Sequence, residues 1–207
     1  MVIHYTAMQS AEAAANTLCN PQTEVSAHYL IAEDGSVFAL VPEDQRAWHA
    51  GAGAWGDVTD VNSRSIGIEL ANAGFAPFAA AQMDALVTLL AEITDRWNIP
   101  PARVIGHSDM APGRKIDPGP RFDWRRLALE GLSIWPEPAV SGAVDDKAFV
   151  DLMHRFGVTA TDDPDLLLQT LRLRFRPRHQ GPRDATDVAI ARDLAMRFPV
   201  DAAPPSA

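Results

Sequence analysis

An internal disulfide is ruled out at once, since among 207 residues there is one cysteine, Cys19. This fits a reducing compartment. No stretch of about eighteen apolar residues occurs, which excludes a membrane-spanning helix. Positive charge is also short. Eighteen Lys and Arg face 27 Asp and Glu, a net charge of −9, and so acidic a chain is poorly suited to track nucleic-acid phosphates. The one basic run, "LRLRFRPRHQGPR" at 171–183, reads as a solvated helix end rather than a nucleic-acid patch. The chain opens "MVIHYTAM", with no basic segment leading into an apolar one, so no secretory signal is visible. The expected compartment is the cytoplasm, or the periplasm if an upstream signal is missing. No H-E-x-x-H helix is present, which argues against one large class of zinc peptidases.

What is there has the balance of a globular protein, 47% hydrophobic and 22% charged, with length for one ordinary domain and a small second one. The pattern changes near 136–143, "WPEPAVSGA". Before it, strand-like and helix-like segments mix. "VIHY" (2–5) is a short buried strand, and "SAEAAANTLCN" (10–20) is a helix capped by Ser10. "SAHYLIAEDGSVFALV" (26–41) is a hairpin turning around Asp34-Gly35, and "RSIGIELAN" (64–72) is another strand. Met83, Leu86, Val87, Leu90, Ile93, Thr94 and Trp97 recur at helical spacing until Pro100 and Pro101 stop the helix. "ARVIGH" (102–107) returns as a strand ending in His107, and "DWRRLALEGL" (123–132) closes the segment as a helix. The fold class expected is α/β, a mixed β-sheet flanked by helices.

After the break everything reads helical. Phe149, Leu152, Met153 and Phe156 share a face ended by Gly157. Asp163-Pro164 opens a helix carrying Leu167, Leu168, Leu171 and Phe175; Asp184 opens another carrying Val188, Ala191, Leu194, Ala195 and Phe198. A small three-helix bundle follows the sheet, and the last residues, "DAAPPSA", are expected to be disordered.

The densest chemistry lies in "GHSDMAPGRKIDPGP" (106–120), where a histidine, two aspartates, a lysine and an arginine sit among three prolines and three glycines. Imidazole plus carboxylate is a donor set that zinc accepts. His107 and Asp117 offer two ligands, and a third must come from another segment. His4, His28, His49, His154 and His179 are all available on sequence grounds. His4 lies in an apolar strand, where an unpartnered imidazole is costly. Asp109 is placed either to orient His107 or to cap a turn, and Asn62 and Arg64 either to meet a substrate carboxylate or to serve a loop.

Four segments in order, "VIHYTA", "VSAHYLIAEDGSVFALVPEDQRAWHAG", "NSRSIGIELAN" and "GHSDMAPGRKIDPGPRFDW", resemble the zinc-dependent N-acetylmuramoyl-L-alanine amidases of type 2, relatives of the peptidoglycan recognition proteins. The likeness covers roughly residues 1–135. The tail, through "LRLRFRP", resembles the three-helix peptidoglycan-binding domain found after some of these enzymes. The resemblance implies an amidase domain at 1–136 and a peptidoglycan-binding-like domain at 144–200. It implies His4, His107 and Asp117 as zinc ligands, Glu69 as catalytic glutamate and Lys115 as catalytic lysine. His28, Trp48, His49 and Arg64 are then candidates for the substrate cleft, while on spacing alone His28 and His49 read as structural hydrogen-bonding histidines and Trp48 as a residue that either meets a sugar or peptide or packs in the core. The substrate implied is a muropeptide or peptidoglycan, cut between N-acetylmuramic or anhydro-muramic acid and L-alanine. The rival reading is a module that recognises peptidoglycan without cutting it. Relatives of that kind typically lack a metal ligand, and the set here is complete.

Overall fold

Two short segments, β1 (Val2–Tyr5) and β4 (Gly67–Leu70), pair in parallel at the centre of the protein, with Ile3 opposite Ile68 and His4 opposite Glu69. The structure is a computed structural model and describes residues 1–139, 142 and 145–200. β2 (Tyr29–Ile31) joins β4 in parallel, β3 (Val37–Ala39) joins β2 antiparallel, and β5 (Ile105–Gly106) joins β1 in parallel. The order β3-β2-β4-β1-β5 is the mixed sheet expected. The hairpin turns at Gly35, whose φ of 89° suits a residue without Cβ.

Side-chain alternation divides the sheet into two faces. Met1, Ile3, Ile66, Ile68 and Leu70 share a core with Met83, Leu86, Leu90 and Ile93 of α2 (Ala80–Trp97). The other face carries Val2, His4, Gly67 and Glu69. α1 (Ala11–Leu18), capped by the Ser10 hydroxyl, packs through Ala14 on Leu30. Trp97 departs from the expected apolar stripe: it is exposed at the helix end, where its indole N–H donates to Glu43. β5 is shorter than expected, because Pro101–Arg103 form a 3-10 turn before it and His107 already begins the single turn α3 (His107–Met110). α4 (Trp124–Leu129) is capped by Asp123.

The tail forms α5 (Asp146–Phe156), α6 (Pro164–Phe175) and α7 (Ala185–Arg197), each with an aspartate cap: Asp145, Asp163 and Asp184. Phe149, Met153, Phe156, Leu167, Leu171, Phe175 and Leu194 are buried together. Their core does not stop at the bundle. Val2, Trp55, Ile105, Met110 and Ile134 belong to it, the Trp55 and Phe156 rings lie 5.3 Å apart, and Gly56 N–H donates to the Gly157 carbonyl.

The basic run is a correction. Arg172 and Arg174 are not solvated; they are 9% and 3% exposed. Arg172 binds Asp187, Arg176 binds Asp184 and Asp187, and Arg174 reaches Asp109 in the first segment. Each buried guanidinium has a carboxylate, which offsets the cost of taking charge out of water. The segment "DAAPPSA" lies outside the described residues, as do 140, 141, 143 and 144. No helix among the described residues is long and apolar enough to cross a membrane.

Candidate metal centre

His4 comes from β1, His107 from the start of α3 and Asp117 from the loop after it. Their ligand atoms converge. His4 Nδ1 and His107 Nδ1 are 2.9 Å apart, and each lies 3.0 Å from Asp117 Oδ2. All three residues are buried. The loop is pinned from behind, since Ser108 N–H donates to the Asp117 carbonyl, and Gly106 lies so close to Pro118 that a Cβ there would come within 2.8 Å of the ring.

Hydrogen bonds around the centre fix which nitrogen of each imidazole carries its proton. Ser65 donates its only proton to the Val61 carbonyl, so it accepts from His49 Nε2–H at 3.3 Å. His49 Nδ1 is then an acceptor and takes His4 Nε2–H at 3.1 Å. His107 Nε2–H donates to the Ala50 carbonyl at 2.8 Å. His4 and His107 therefore both present Nδ1 as a lone pair to Asp117. Outer hydrogen bonds of this kind are how metal-binding imidazoles are held. Three acceptors within 3.0 Å of one another with no proton between them repel, and a cation removes that repulsion.

A proton is a poor substitute at neutral pH. Burial, with the charge of His107, holds His4 down at about 4. Burial likewise holds His49 well below its ordinary value, with His4 adding to the effect. With His4 held neutral and a carboxylate against both imidazoles, the donor set is one fitted to a divalent metal.

Glu69 lies opposite His4 in the strand ladder, and its Oε2 is buried with no hydrogen-bond partner. Burial first, then the Asp117 charge, pushes the Glu69 carboxyl up to about 8, against the lowering effect of Lys115. Lys115 is half-buried, and its charge acts on both Glu69 and His4.

Two of the expected cleft residues face inward instead. His28 is 1% exposed, accepts the Gly67 N–H at Nδ1 and donates from Nε2 to the Gln45 carbonyl. His49 is 8% exposed and has both ring nitrogens engaged. Neither has a free polar atom for substrate; both support the centre. Gly67 makes room for His49, for a Cβ there would lie 2.3 Å from the ring. Trp48 is exposed, with the Arg46 guanidinium over its ring. Arg64 is not brought to the ligands; it lines a groove with Met1, Val2 and Arg103 at the starts of the parallel strands. Asn62 takes the loop role, accepting the N–H groups of His49 and Ala50, and Asp109 is a turn cap on Gly106 N–H. His154 and His179 lie far along the chain in the bundle and bind Thr161 and Asp184. Sequence reasoning missed Ser65 and Arg114, whose guanidinium donates to the Ala50 carbonyl. No spacing marks either one, because the fold alone brings Ser65 to the His49 ring and Arg114 to a backbone oxygen.

Such a cluster, on a mixed sheet flanked by helices, has the donors to hold a metal ion. The model of the N-acetylmuramoyl-L-alanine amidase family matches residues 1–120, and the chain belongs to that family. It is 37% identical to the N-acetylmuramoyl-L-alanine amidase AmiD of Escherichia coli (strain K12), over 97% of this chain and 83% of that protein. It is 42% identical to the 1,6-anhydro-N-acetylmuramyl-L-alanine amidase AmpD of the same organism, over 51% of this chain and 57% of that protein. Among solved structures, the complex of E. coli AmiD with anhydro-N-acetylmuramic acid-L-Ala-D-gamma-Glu-L-Lys superposes with a TM-score of 0.87 at 36% identity, covering 95% of this chain and 88% of that one. AmpDh3 of Pseudomonas aeruginosa in complex with anhydromuramic pentapeptide gives 0.87 at 31% identity, covering 96% and 91%.

Proposed function

We infer that this chain hydrolyses the amide bond between N-acetylmuramic or 1,6-anhydro-N-acetylmuramic acid and the L-alanine of a peptidoglycan stem peptide, with zinc held by His4, His107 and Asp117. The observation that carries this reading is the convergence of three ligand atoms beside a buried carboxylate oxygen without a partner. Two imidazoles and one carboxylate match zinc, and three protein ligands leave a fourth position for water or substrate. When bound, the ion polarises the scissile carbonyl and makes water more acidic.

The chain's own groups do the rest. Glu69 takes the proton from the attacking water and returns it to the nitrogen of the leaving L-alanine, so the carboxylate ends the cycle as it began. Its buried oxygen without a hydrogen-bond partner leaves a position for that proton. Lys115 stabilises the negative charge that grows on the lactyl carbonyl oxygen. Trp48 offers an exposed aromatic face to the sugar or peptide.

The reading is tested by incubating the full chain with a soluble anhydro-muropeptide and following release of the free stem peptide. Release that a chelator abolishes and added zinc restores is the expected result. Binding without release would leave a recognition module in its place.

A further inference from the structure

We propose that Arg174, carried by the C-terminal bundle, is a positioning residue for the metal ligand His107. The proposal rests on the reading of His107 as a ligand. Arg174 leaves α6 and enters the first segment, where it is 3% exposed. Its Nη1 donates to Asp109 Oδ2 at 2.6 Å, and its Nη2 donates to the Val104 carbonyl and to Ser133 Oγ, each at 3.1 Å. The guanidinium carbon lies 4.1 Å from the centre of the Trp124 ring.

The groups it holds frame His107. Val104 precedes the two-residue strand β5, and Asp109 follows His107 by two residues. Asp109 Oδ2 also accepts Gly106 N–H at 2.8 Å, which fixes the turn from β5 into α3. One planar cation therefore ties the backbone before β5 to the side chain that closes the turn after it. β5 has only Ile105 and Gly106 paired to the sheet, so the start of His107 depends on contacts beyond the strand ladder, of which Arg174 supplies three. A buried ion pair adds little stability over apolar packing of the same volume. Its geometric effect is larger, because a guanidinium directs several donors at once in a fixed plane.

The test uses the full chain and measures zinc affinity by competition with a chromophoric chelator, together with the visible spectrum of the cobalt-substituted protein. Arg174→Met combined with Asp109→Asn removes both charges and leaves an amide oxygen for Gly106 N–H. Leu194→Ala, in the bundle core, serves as the comparison for general loss of stability. The double variant is expected to bind zinc at least about tenfold more weakly and to shift the cobalt bands. Leu194→Ala is expected to melt lower with affinity and spectrum unchanged. Arg174→Lys, which keeps the charge but not the planar fork, is expected to fall between, and it carries the test if the double variant does not fold. Unchanged affinity and spectrum in the folded double variant or in Arg174→Lys would overturn the proposal, as would an equal loss in Leu194→Ala. If the unaltered chain itself binds no zinc, the metal reading fails instead.

Discussion

His4 and Glu69 stand opposite each other on adjacent parallel strands, so the backbone ladder of β1 and β4 sets the proposed metal ligand beside the group proposed to carry the proton. Paired residues of a sheet point to the same face. The other face of the same strands is filled by Ile3 and Ile68 packing on α2. Slipping the register by one residue would exchange an apolar core for the reactive pair, so the same apolar contacts that hold the sheet hold the site.

The roles within the loop separate by substitution. Asp117→Ala removes a ligand and should lose zinc and activity together. Lys115→Ala and Glu69→Ala leave the ligands intact and should keep zinc. If Lys115 meets charge that exists only in the transition state, its removal should lower kcat and kcat/KM alike by about a hundredfold or more. Metal analysis and steady-state kinetics on the three variants check this. A Lys115→Ala protein with raised KM and normal kcat would reassign the lysine to binding.

The chain from Val61 through Ser65 and His49 fixes the tautomer of His4. His49→Phe fills the same space without the nitrogen that accepts His4 Nε2–H, and should weaken zinc binding about 10- to 100-fold. Ser65→Ala acts one bond further out and should cost less. Chelator competition gives both values, and equal affinities in all three proteins would remove His49 from the support of the centre.

Glu69 makes metal-free stability depend on pH. Its carboxyl titrates at about 8 in the fold against an ordinary value of 4.5. The folded state therefore keeps a proton that the unfolded chain releases, and stability falls as pH rises from 4.5 through about 8. Glu69→Gln has no such ionisation. In chelator-treated protein it should melt above the unaltered chain at about pH 9, and the difference should shrink towards about pH 5. Thermal unfolding across that range reads the effect, and a difference independent of pH would assign it to packing.

Because Trp55, Met110 and Ile134 share a core with Phe149, Phe156 and Leu167, the sheet and the bundle should unfold together. Calorimetry should show one transition. A chain ending near Gly142 would expose that apolar surface and should melt lower and aggregate more readily. Phe149→Ala, deep in the bundle, should cost about 3–5 kcal/mol and lower the melting of the whole chain. Two separate transitions, with only one displaced by Phe149→Ala, would show that the cores are independent.

The sequence by itself determined the local pieces and the chemistry. Apolar alternation in "VIHY" and "GIEL" dictates short strands, helical spacing from Met83 to Ile93 dictates the helix that covers them, and aspartates mark the starts of the three tail helices. The motifs around His4, Glu69, His107, Lys115 and Asp117 point to the family. These features depend on near neighbours in the chain or on residue type, and both can be read along a line. Only the tertiary structure decided what the polar residues face. For His28 and His49 the sequence leaves cleft and structural roles both open, and the choice comes only when their nitrogens are seen bound to Gln45, Gly67, His4 and Ser65. Arg172 and Arg174 look solvated until Asp187 and Asp109 are found beside them. Burial of a polar side chain requires a partner, and that partner here is between 15 and 65 residues away, or is a backbone atom common to every residue. Such pairings leave no spacing in the sequence, and the three-dimensional packing of the sheet, the loop and the bundle sets them.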